Sequence, residues 1–284
     1  MNTSEPKSAY ATISGLRLHY QDWGGEGAPI IIVHATGFLG RIYRPFAEAL
    51  RAIGHVWSFD QRGHGDSGLA PDGQYDWYHT INDLAGFITL MGWKGVRAFG
   101  HSAGATAIGG LACERPDLIA RAVLAEPVVF ESPGAPELGW RNPFIERTLK
   151  RRREFASVDA MFASFENKPP YDTWRKDILR DYCEFGTRIN AQGNRELKCA
   201  PEVEARYYAT SREFDGLGRI LSAQAPMLII FGARGDSLGA SLSGTIAAQL
   251  KNGRVVDVPD AGHFVPMEKT GLVAQMSVDF LSQP

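Results

Sequence analysis

Short apolar runs alternate with stretches of helical spacing along the first part of the chain. The run Pro29–Val33 is continuously apolar and mostly β-branched, which is typical of a strand buried on both faces of a parallel sheet. Residues 77–91 carry apolar side chains at the spacing of an amphipathic helix. Further strands are predicted at residues 16–20, 56–59, 96–99, 119–129, 226–231 and 254–258, and further helices up to about residue 51 and at 105–113.

This alternation predicts an α/β fold in which a mostly parallel, doubly wound sheet is covered by helices on both faces. The pattern stops after residue 130, and from 131 to 215 charged, aromatic and helix-forming residues prevail. Helices are predicted there at residues 143–155 and 174–187, and the basic run 150–153 is expected to form a solvated helix face. We therefore predict a core domain of residues 1–130 and 216–284, interrupted by a helical cap or lid over residues 131–215.

Composition adds mainly exclusions. The 284-residue chain is 44% hydrophobic and 22% charged, which is ordinary for a globular protein. A net charge of −2 gives no reason to expect nucleic acid or an anionic membrane as partner. The three cysteines are scattered, which argues against a disulfide framework and a zinc site and fits a reducing compartment.

We expect a cytoplasmic protein with no membrane partner, no metal and no cofactor. The first seven residues lack the pattern of a secretory signal, and no apolar run approaches the roughly 20 residues of a membrane span. Glycine-rich motifs that bind phosphate groups are also missing. The sequence is compatible with a homodimer.

The pentapeptide Gly-His-Ser-Ala-Gly at residues 100–104 lies between a predicted strand and a predicted helix. This pattern is typical of a nucleophile elbow, a sharp turn that needs glycine two residues before and two residues after the serine. The hydroxyl of Ser102 would then lie at a helix N-terminus beside the backbone N–H of Ala103, where developing negative charge is stabilised. Alone, the pattern also fits a glycine-rich turn without chemistry.

A nucleophilic serine needs a base, and the base needs a carboxylate to orient it. Of the seven histidines, His263 is the strongest candidate because it follows the last predicted strand. Two positions offer the carboxylate. Glu126 lies at the end of the strand after the elbow helix, and Asp236 follows the strand after the predicted cap.

Four motifs in this order resemble the α/β-hydrolase fold superfamily, and they cover the predicted core almost from end to end. They are residues 34–37 (His-Ala-Thr-Gly), 60–67 (Asp-Gln-Arg-Gly-His-Gly-Asp-Ser), 100–104 and 262–264 (Gly-His-Phe). The resemblance is to capped serine esterases and lactonases. It implies Ser102 as nucleophile, His263 as base and the backbone N–H groups of Ala103 and Thr36 as oxyanion hole.

Two positions depart from the superfamily's pattern. Ala35 stands where a glycine is usual, and Asp236 lies one residue beyond the usual place of the acid. Members of the superfamily that lack this aspartate can carry the acid where Glu126 stands. We favour Glu126, because Pro127 fixes a rigid strand end, and keep Asp236 as the alternative.

A serine nucleophile suits acyl chemistry, so we predict hydrolysis of a small, apolar carboxylic ester or lactone through an acyl-enzyme. Carbon–carbon bond hydrolysis, acyl transfer and perhydrolysis on the same residues are alternatives. A non-catalytic ligand-binding protein of this fold is the alternative of another class. Phe38, His101 and Phe264 are predicted to bind the substrate, and the aromatic residues of the cap either line its pocket or form the core of the cap.

Overall fold

The structure is a computed structural model that describes residues 5–130, 142–235, 237 and 239–283. The first eleven residues of the predicted cap and the candidate acid Asp236 lie outside the described residues. Among the described residues, no helix combines the length and the apolar character needed to cross a membrane.

The described strands form one large and one small sheet. The strands are β1 (Lys7–Ile13), β2 (Leu16–Gly24), β3 (Pro29–Val33), β4 (His55–Phe59), β5 (Val96–His101), β6 (Ile119–Ala125), β7 (Glu154–Phe155), β8 (Thr187–Ile189), β9 (Arg195–Leu197), β10 (Met227–Gly232) and β11 (Gly253–Val258). The eight-stranded sheet has the order β1-β2-β4-β3-β5-β6-β10-β11, and the small sheet has the order β7-β9-β8. Within the large sheet, the neighbouring strands β4, β3, β5, β6, β10 and β11 pair in parallel. Strand β2 pairs antiparallel with both β1 and β4.

Helices follow most strands of the large sheet. They are α1 (Arg44–Leu50), α2 (Trp77–Leu90), α3 (Ala103–Glu114), α4 (Pro143–Leu149), α5 (Val158–Phe165), α6 (Lys176–Phe185), α7 (Pro201–Thr210), α8 (Gly216–Ser222), α9 (Ser243–Gln249), α10 (Val265–Glu268) and α11 (Thr270–Leu281). Short 3-10 turns lie at Gly40–Tyr43, Tyr171–Thr173 and Ala240–Leu242.

The two faces of the sheet bury alternate residues of each central strand. Ile31 and Val33 of β3 pack in the same apolar cluster as residues of α2 and α3. Ile30 and Ile32 pack with α1 and α11 on the opposite face. All four side chains are fully buried, and each contributes roughly 1.5–3 kcal/mol through the hydrophobic effect. The predicted doubly wound α/β sheet is confirmed.

The sequence pattern missed β1 at the edge of the sheet. This strand pairs antiparallel with β2, with Tyr10 opposite His19. Ala11 is its only buried residue, and the others are exposed or half-buried. A strand that meets solvent on most of its surface needs no apolar run, so its sequence carries little signal.

The predicted cap segment also differs in detail. The helix predicted over residues 143–155 ends at Leu149, and Glu154–Phe155 instead joins the small antiparallel sheet. The second predicted helix is Lys176–Phe185, while α5 and α7 were not predicted. The basic run 150–153 is therefore not a solvated helix face. The described part of the segment mixes helices with a small sheet, and the proposed division of the chain at residues 131 and 215 stays a prediction.

The loop at residues 60–67 fastens several elements near the carboxyl edge of the sheet. A carboxylate oxygen of Asp60 accepts a hydrogen bond from the Gly40 backbone N–H at 2.7 Å. The guanidinium of Arg62 donates to both carboxylate oxygens of Asp83 on α2, at 2.6 and 2.8 Å, and both side chains are buried. Removing one partner of such a pair leaves a buried charge without compensation.

We predict that Asp83→Ala lowers the free energy of unfolding by about 3–5 kcal/mol, because Arg62 loses its buried partner. Denaturant titration measures this change. The matched control is Asp117→Ala, which breaks the exposed pair with Arg115 and should have little effect. Equal losses in the two variants would contradict a structural role for the buried pair.

Candidate active site

The turn between β5 and α3 holds Ser102 in an unusual conformation. Its φ of 53° and ψ of −119° lie outside the regions that most residues adopt, at a cost of order 1–3 kcal/mol. A Cβ atom on Gly100 would lie 2.7 Å from the Cα of Ala105, and one on Gly104 would lie 2.3 Å from the carbonyl oxygen of Val33. Close packing therefore requires glycine two residues before and two residues after the serine.

A chain of hydrogen bonds joins three of the predicted site residues. The hydroxyl of Ser102 lies 3.0 Å from Nε2 of His263, and Nδ1 of the same ring lies 3.1 Å from Oε2 of Glu126. The three residues come from the ends of β5 and β6 and from the loop after β11. The carboxyl ends of parallel strands meet at one edge of a sheet, which brings these distant residues together.

Glu126 is fully buried and takes a positive φ of 50° directly after β6. Its Oε1 accepts hydrogen bonds from the backbone N–H of Gly232 at 2.6 Å and from the hydroxyl of Ser237 at 2.7 Å. Its two oxygens thus engage β10, the loop after it and the loop of His263. Ser237 was not predicted, and its side chain carries no sequence signal beyond its position next to Asp236.

The predicted oxyanion-hole groups lie on either side of the serine turn. Ala103 is the first residue of α3, so its backbone N–H has no partner within the helix. The backbone N–H of Thr36 makes no hydrogen bond to the described residues. The neighbouring Gly37, with φ 82°, donates its N–H to Nε2 of His64 at 2.9 Å, which anchors this loop to the loop at residues 60–67.

The predicted substrate contact by His101 does not fit its surroundings. Its side chain is fully buried beneath the turn, and the Tyr43 hydroxyl donates to its Nδ1 at 2.7 Å while accepting the N–H of Ala35 at 3.2 Å. The other ring nitrogen donates to the backbone carbonyl of His263 at 2.9 Å. Alternation along β5 sends this side chain away from Ser102, and it links the loop of His263 to the loop of Ala35 instead.

Phe38 and Phe264 lie together beside these loops. Their rings are 5.9 Å apart, and both contact Trp174, at 5.2 Å from Phe38 and 5.3 Å from Phe264. Tyr182 of α6 also packs against Phe38 at 5.2 Å. We call Phe38, Trp174, Tyr182 and Phe264 the aromatic cluster. Substrate contact by Phe38 and Phe264 stays a prediction.

A partly buried ion pair borders the aromatic cluster. Arg151 pairs with Glu204 of α7 and also donates to the hydroxyl of Tyr182 at 2.8 Å. A Cβ atom on Gly37 would lie 2.8 Å from Oε1 of Glu204, so this carboxylate sits directly against the loop of Thr36. Neither charged residue was predicted near the site. Arg151 lies within the basic run 150–153, and such a run predicts exposed side chains.

Among the described residues, His19, Asp60 and Asp66 have side-chain nitrogen and oxygen atoms close enough to hold a metal ion, within 4.8 Å of one another. These atoms already bond within the protein. Nδ1 of His19 lies 2.7 Å from Asp60, and Lys198 pairs with Asp66. The group is therefore explained as a hydrogen-bond network, and the absence of a metal or cofactor stays a prediction.

The sequence profile of the alpha/beta hydrolase family matches residues 30–276. The chain belongs to this family. Membership of this hydrolase family agrees with the hydrogen-bonded serine, histidine and glutamate at the carboxyl edge of the sheet.

Three similar proteins share less than a quarter of their residues with this chain. It is similar to a bifunctional esterase/perhydrolase of Acinetobacter calcoaceticus, 23% identical over 269 residues that cover 90% of this chain and 92% of the other. Its fold resembles that of an E-2-(acetamidomethylene)succinate hydrolase, with a TM-score of 0.83 and 21% identity over 98% of this chain and 100% of the other. It also resembles the enol-lactonase of Burkholderia xenovorans LB400, with a TM-score of 0.74 and 23% identity over 97% of this chain and 100% of the other.

Three buried histidines make the stability of this hydrolase depend on pH. Burial lowers the pKa of His34 and of His101 to about 3 and the pKa of His64 to about 4. In the unfolded chain their pKa values return to about 6.5, so below that pH the unfolded state binds more protons than the folded state. Stability must then fall as the pH decreases from about 6.5 toward 4.

We predict that the free energy of unfolding is several kcal/mol lower at pH 5 than at pH 7. Each histidine contributes a slope of up to about 1.4 kcal/mol per pH unit. Denaturant titrations across this range measure how the free energy of unfolding changes with pH. His64→Gln removes one of the three histidines and should reduce this slope by up to about 1.4 kcal/mol per pH unit. Equal stability at pH 5 and pH 7 would contradict the prediction.

Proposed function

We propose that this protein is a serine hydrolase that cleaves a carboxylic ester or lactone through an acyl-enzyme. The proposal is carried by the continuous hydrogen bonds from Ser102 through His263 to Glu126. A serine hydroxyl is a weak nucleophile on its own, and a hydrogen-bonded imidazole oriented by a carboxylate activates it.

In the proposed mechanism, Nε2 of His263 takes the proton of Ser102 as Oγ attacks the carbonyl carbon of the substrate. The tetrahedral oxyanion accepts hydrogen bonds from the backbone N–H groups of Ala103 and Thr36. His263 then returns the proton to the departing alcohol oxygen, which leaves an acyl group on Ser102. A water molecule, deprotonated by His263, attacks the acyl group, and the acid is released as Ser102 regains its proton.

We propose Glu126 as the acid of this triad. Its carboxylate accepts the Nδ1–H of His263, which leaves Nε2 free of a proton and aimed at Ser102. The hydrogen bonds from Gly232 and Ser237 hold the carboxylate in place, so little reorganisation is needed when the imidazole becomes charged. The negative charge of Glu126 then stabilises the imidazolium.

The substrate class rests on the surroundings of the serine. The aromatic cluster favours a small, largely apolar ester or lactone. The two relatives named as an esterase/perhydrolase and an enol-lactonase support the same choice. Perhydrolysis, acyl transfer and carbon–carbon bond hydrolysis use the same nucleophile and are the alternative reactions on these residues.

We predict that a fluorophosphonate probe labels the folded protein at Ser102, and that Ser102→Ala abolishes both labelling and hydrolysis. The measurement combines mass spectrometry of the adduct with turnover of p-nitrophenyl esters of increasing chain length and of several lactones. Thr106→Ser, which keeps a hydroxyl but removes a methyl group one helical turn beyond the serine, is the control and should still be labelled. An unlabelled, folded wild-type protein would favour the non-catalytic binding protein instead.

We predict that Glu126→Gln lowers kcat by about 10³–10⁴, because an amide cannot hold the required histidine tautomer or stabilise its charge. Asp236→Asn, the matched change at the alternative acid, should lower kcat far less. Both variants are compared by steady-state kinetics after circular dichroism establishes that they fold. A large loss in Asp236→Asn with little loss in Glu126→Gln would assign the acid to Asp236.

A further inference from the structure

Trp174 carries a buried donor that the proposed mechanism does not use. The side chain is only 3% exposed, yet its indole Nε1–H has no hydrogen-bond partner among the described residues. Most buried polar groups in proteins are paired, and leaving one unpaired costs roughly 1–3 kcal/mol. An unpaired donor beside a candidate active site therefore requires an explanation.

Two other tryptophans of similar burial show the usual behaviour. Trp23 donates its indole N–H to the hydroxyl of Ser58 at 2.9 Å, and Trp77 donates to the carbonyl oxygen of Tyr207 at 3.0 Å. Both side chains are buried about as deeply as Trp174. Trp174 therefore differs from them in having no acceptor within the described part of the chain, and not in its burial.

The position of Trp174 connects this donor to the site. Its ring contacts Phe38, which follows the loop of Thr36, and Phe264, which follows His263. The next residue, Arg175, donates its backbone N–H to the carbonyl oxygen of Met267 at 3.1 Å, which fastens this segment to α10. The indole is thus held between the loops of the proposed oxyanion hole and the proposed base.

The chemistry of the surroundings limits what the donor can bind. Aromatic side chains pack on Trp174. One of them, Tyr182, has a hydroxyl that already accepts a hydrogen bond from Arg151. The guanidinium of Arg151 is in turn paired with Glu204. An incoming carboxylate would meet a cation that already has its counter-charge, whereas a neutral oxygen needs only the indole N–H.

We propose that Trp174 is a substrate-binding residue whose Nε1–H donates a hydrogen bond to a second, neutral oxygen of the substrate. The substrate class is then an ester or lactone that carries an ether, hydroxyl or keto oxygen close to the cleaved bond. This inference rests on the proposed ester or lactone hydrolysis and refines its substrate. A site built around a buried donor rejects analogues that lack the acceptor, since the donor is then left unpaired.

The test compares substrates that differ only in one oxygen. On the acyl side, p-nitrophenyl methoxyacetate is matched with p-nitrophenyl butyrate, and on the alcohol side 2-methoxyethyl acetate is matched with butyl acetate. In each pair an ether oxygen replaces a methylene group. The readout is the ratio of kcat/KM for the oxygenated ester to that for its partner, in the wild-type protein and in Trp174→Phe.

We expect Trp174→Phe to lower this ratio about fivefold to tenfold in at least one pair, which is the contribution of a neutral hydrogen bond. Intrinsic differences in ester reactivity cancel between the proteins. Trp93→Phe is the control, because Trp93 packs against Trp57 and Phe87 away from the candidate site, and its ratios should not change. Unchanged ratios in Trp174→Phe for both pairs would overturn the proposal.

A second measurement requires neither the Trp174→Phe variant nor turnover of the substrate. Nuclear magnetic resonance of the six indole N–H groups is recorded in Ser102→Ala with methyl methoxyacetate and with methyl butyrate. One signal should move with the oxygenated ester and not with its partner. A set of signals that stays in place up to the highest ester concentration overturns the Trp174 proposal, whereas an unlabelled Ser102 with no ester hydrolysis overturns the proposed function.

Discussion

The carboxylate of Glu126 is buried where β6 ends, and the local structure depends on satisfying it. Burying a charged group without partners is strongly unfavourable, so its oxygens must find donors within the protein. Gly232 supplies a backbone N–H, Ser237 a hydroxyl and His263 a ring N–H. These donors come from β10, the loop after it and the loop after β11. One buried acid thus fixes the relative positions of three neighbouring parts of the chain and, through His263, of Ser102.

Close packing and the pairing of buried polar groups also determine the loops around the serine. Gly100 and Gly104 admit no side chain because the chain packs on itself and on β3 there. His101 fills the space below the turn and bonds with both Tyr43 and the carbonyl oxygen of His263. Its burial keeps its pKa low, so the ring stays neutral and can accept one hydrogen bond while donating the other. The residue beside the nucleophile therefore works as a brace between loops.

Apolar periodicity was a reliable guide wherever a strand is buried on both faces. The alternation within β3 places Ile31 on one face of the sheet and Ile30 on the other, and both side chains are buried in apolar clusters. The edge strand β1 and the small sheet of the predicted cap gave no such signal, since β1 is largely exposed and the strands of the small sheet are only two or three residues long. Arg151 shows the same limit. Its sequence neighbours are basic and exposed, but a partner on α7 draws it inward.

The sequence by itself determined the α/β fold and the order of its motifs, and it nominated Ser102 and His263. Buried strands require apolar runs and the sharp turn at the serine requires glycines, so both can be recognised from neighbouring residues in the sequence. Only the tertiary structure showed that Glu126 lies within hydrogen-bond distance of His263, that the His101 side chain is buried away from the serine, and that the indole N–H of Trp174 has no hydrogen-bond partner among the described residues. These facts depend on which residues far apart in the chain meet at one edge of the sheet, and a one-dimensional pattern does not record distances across it.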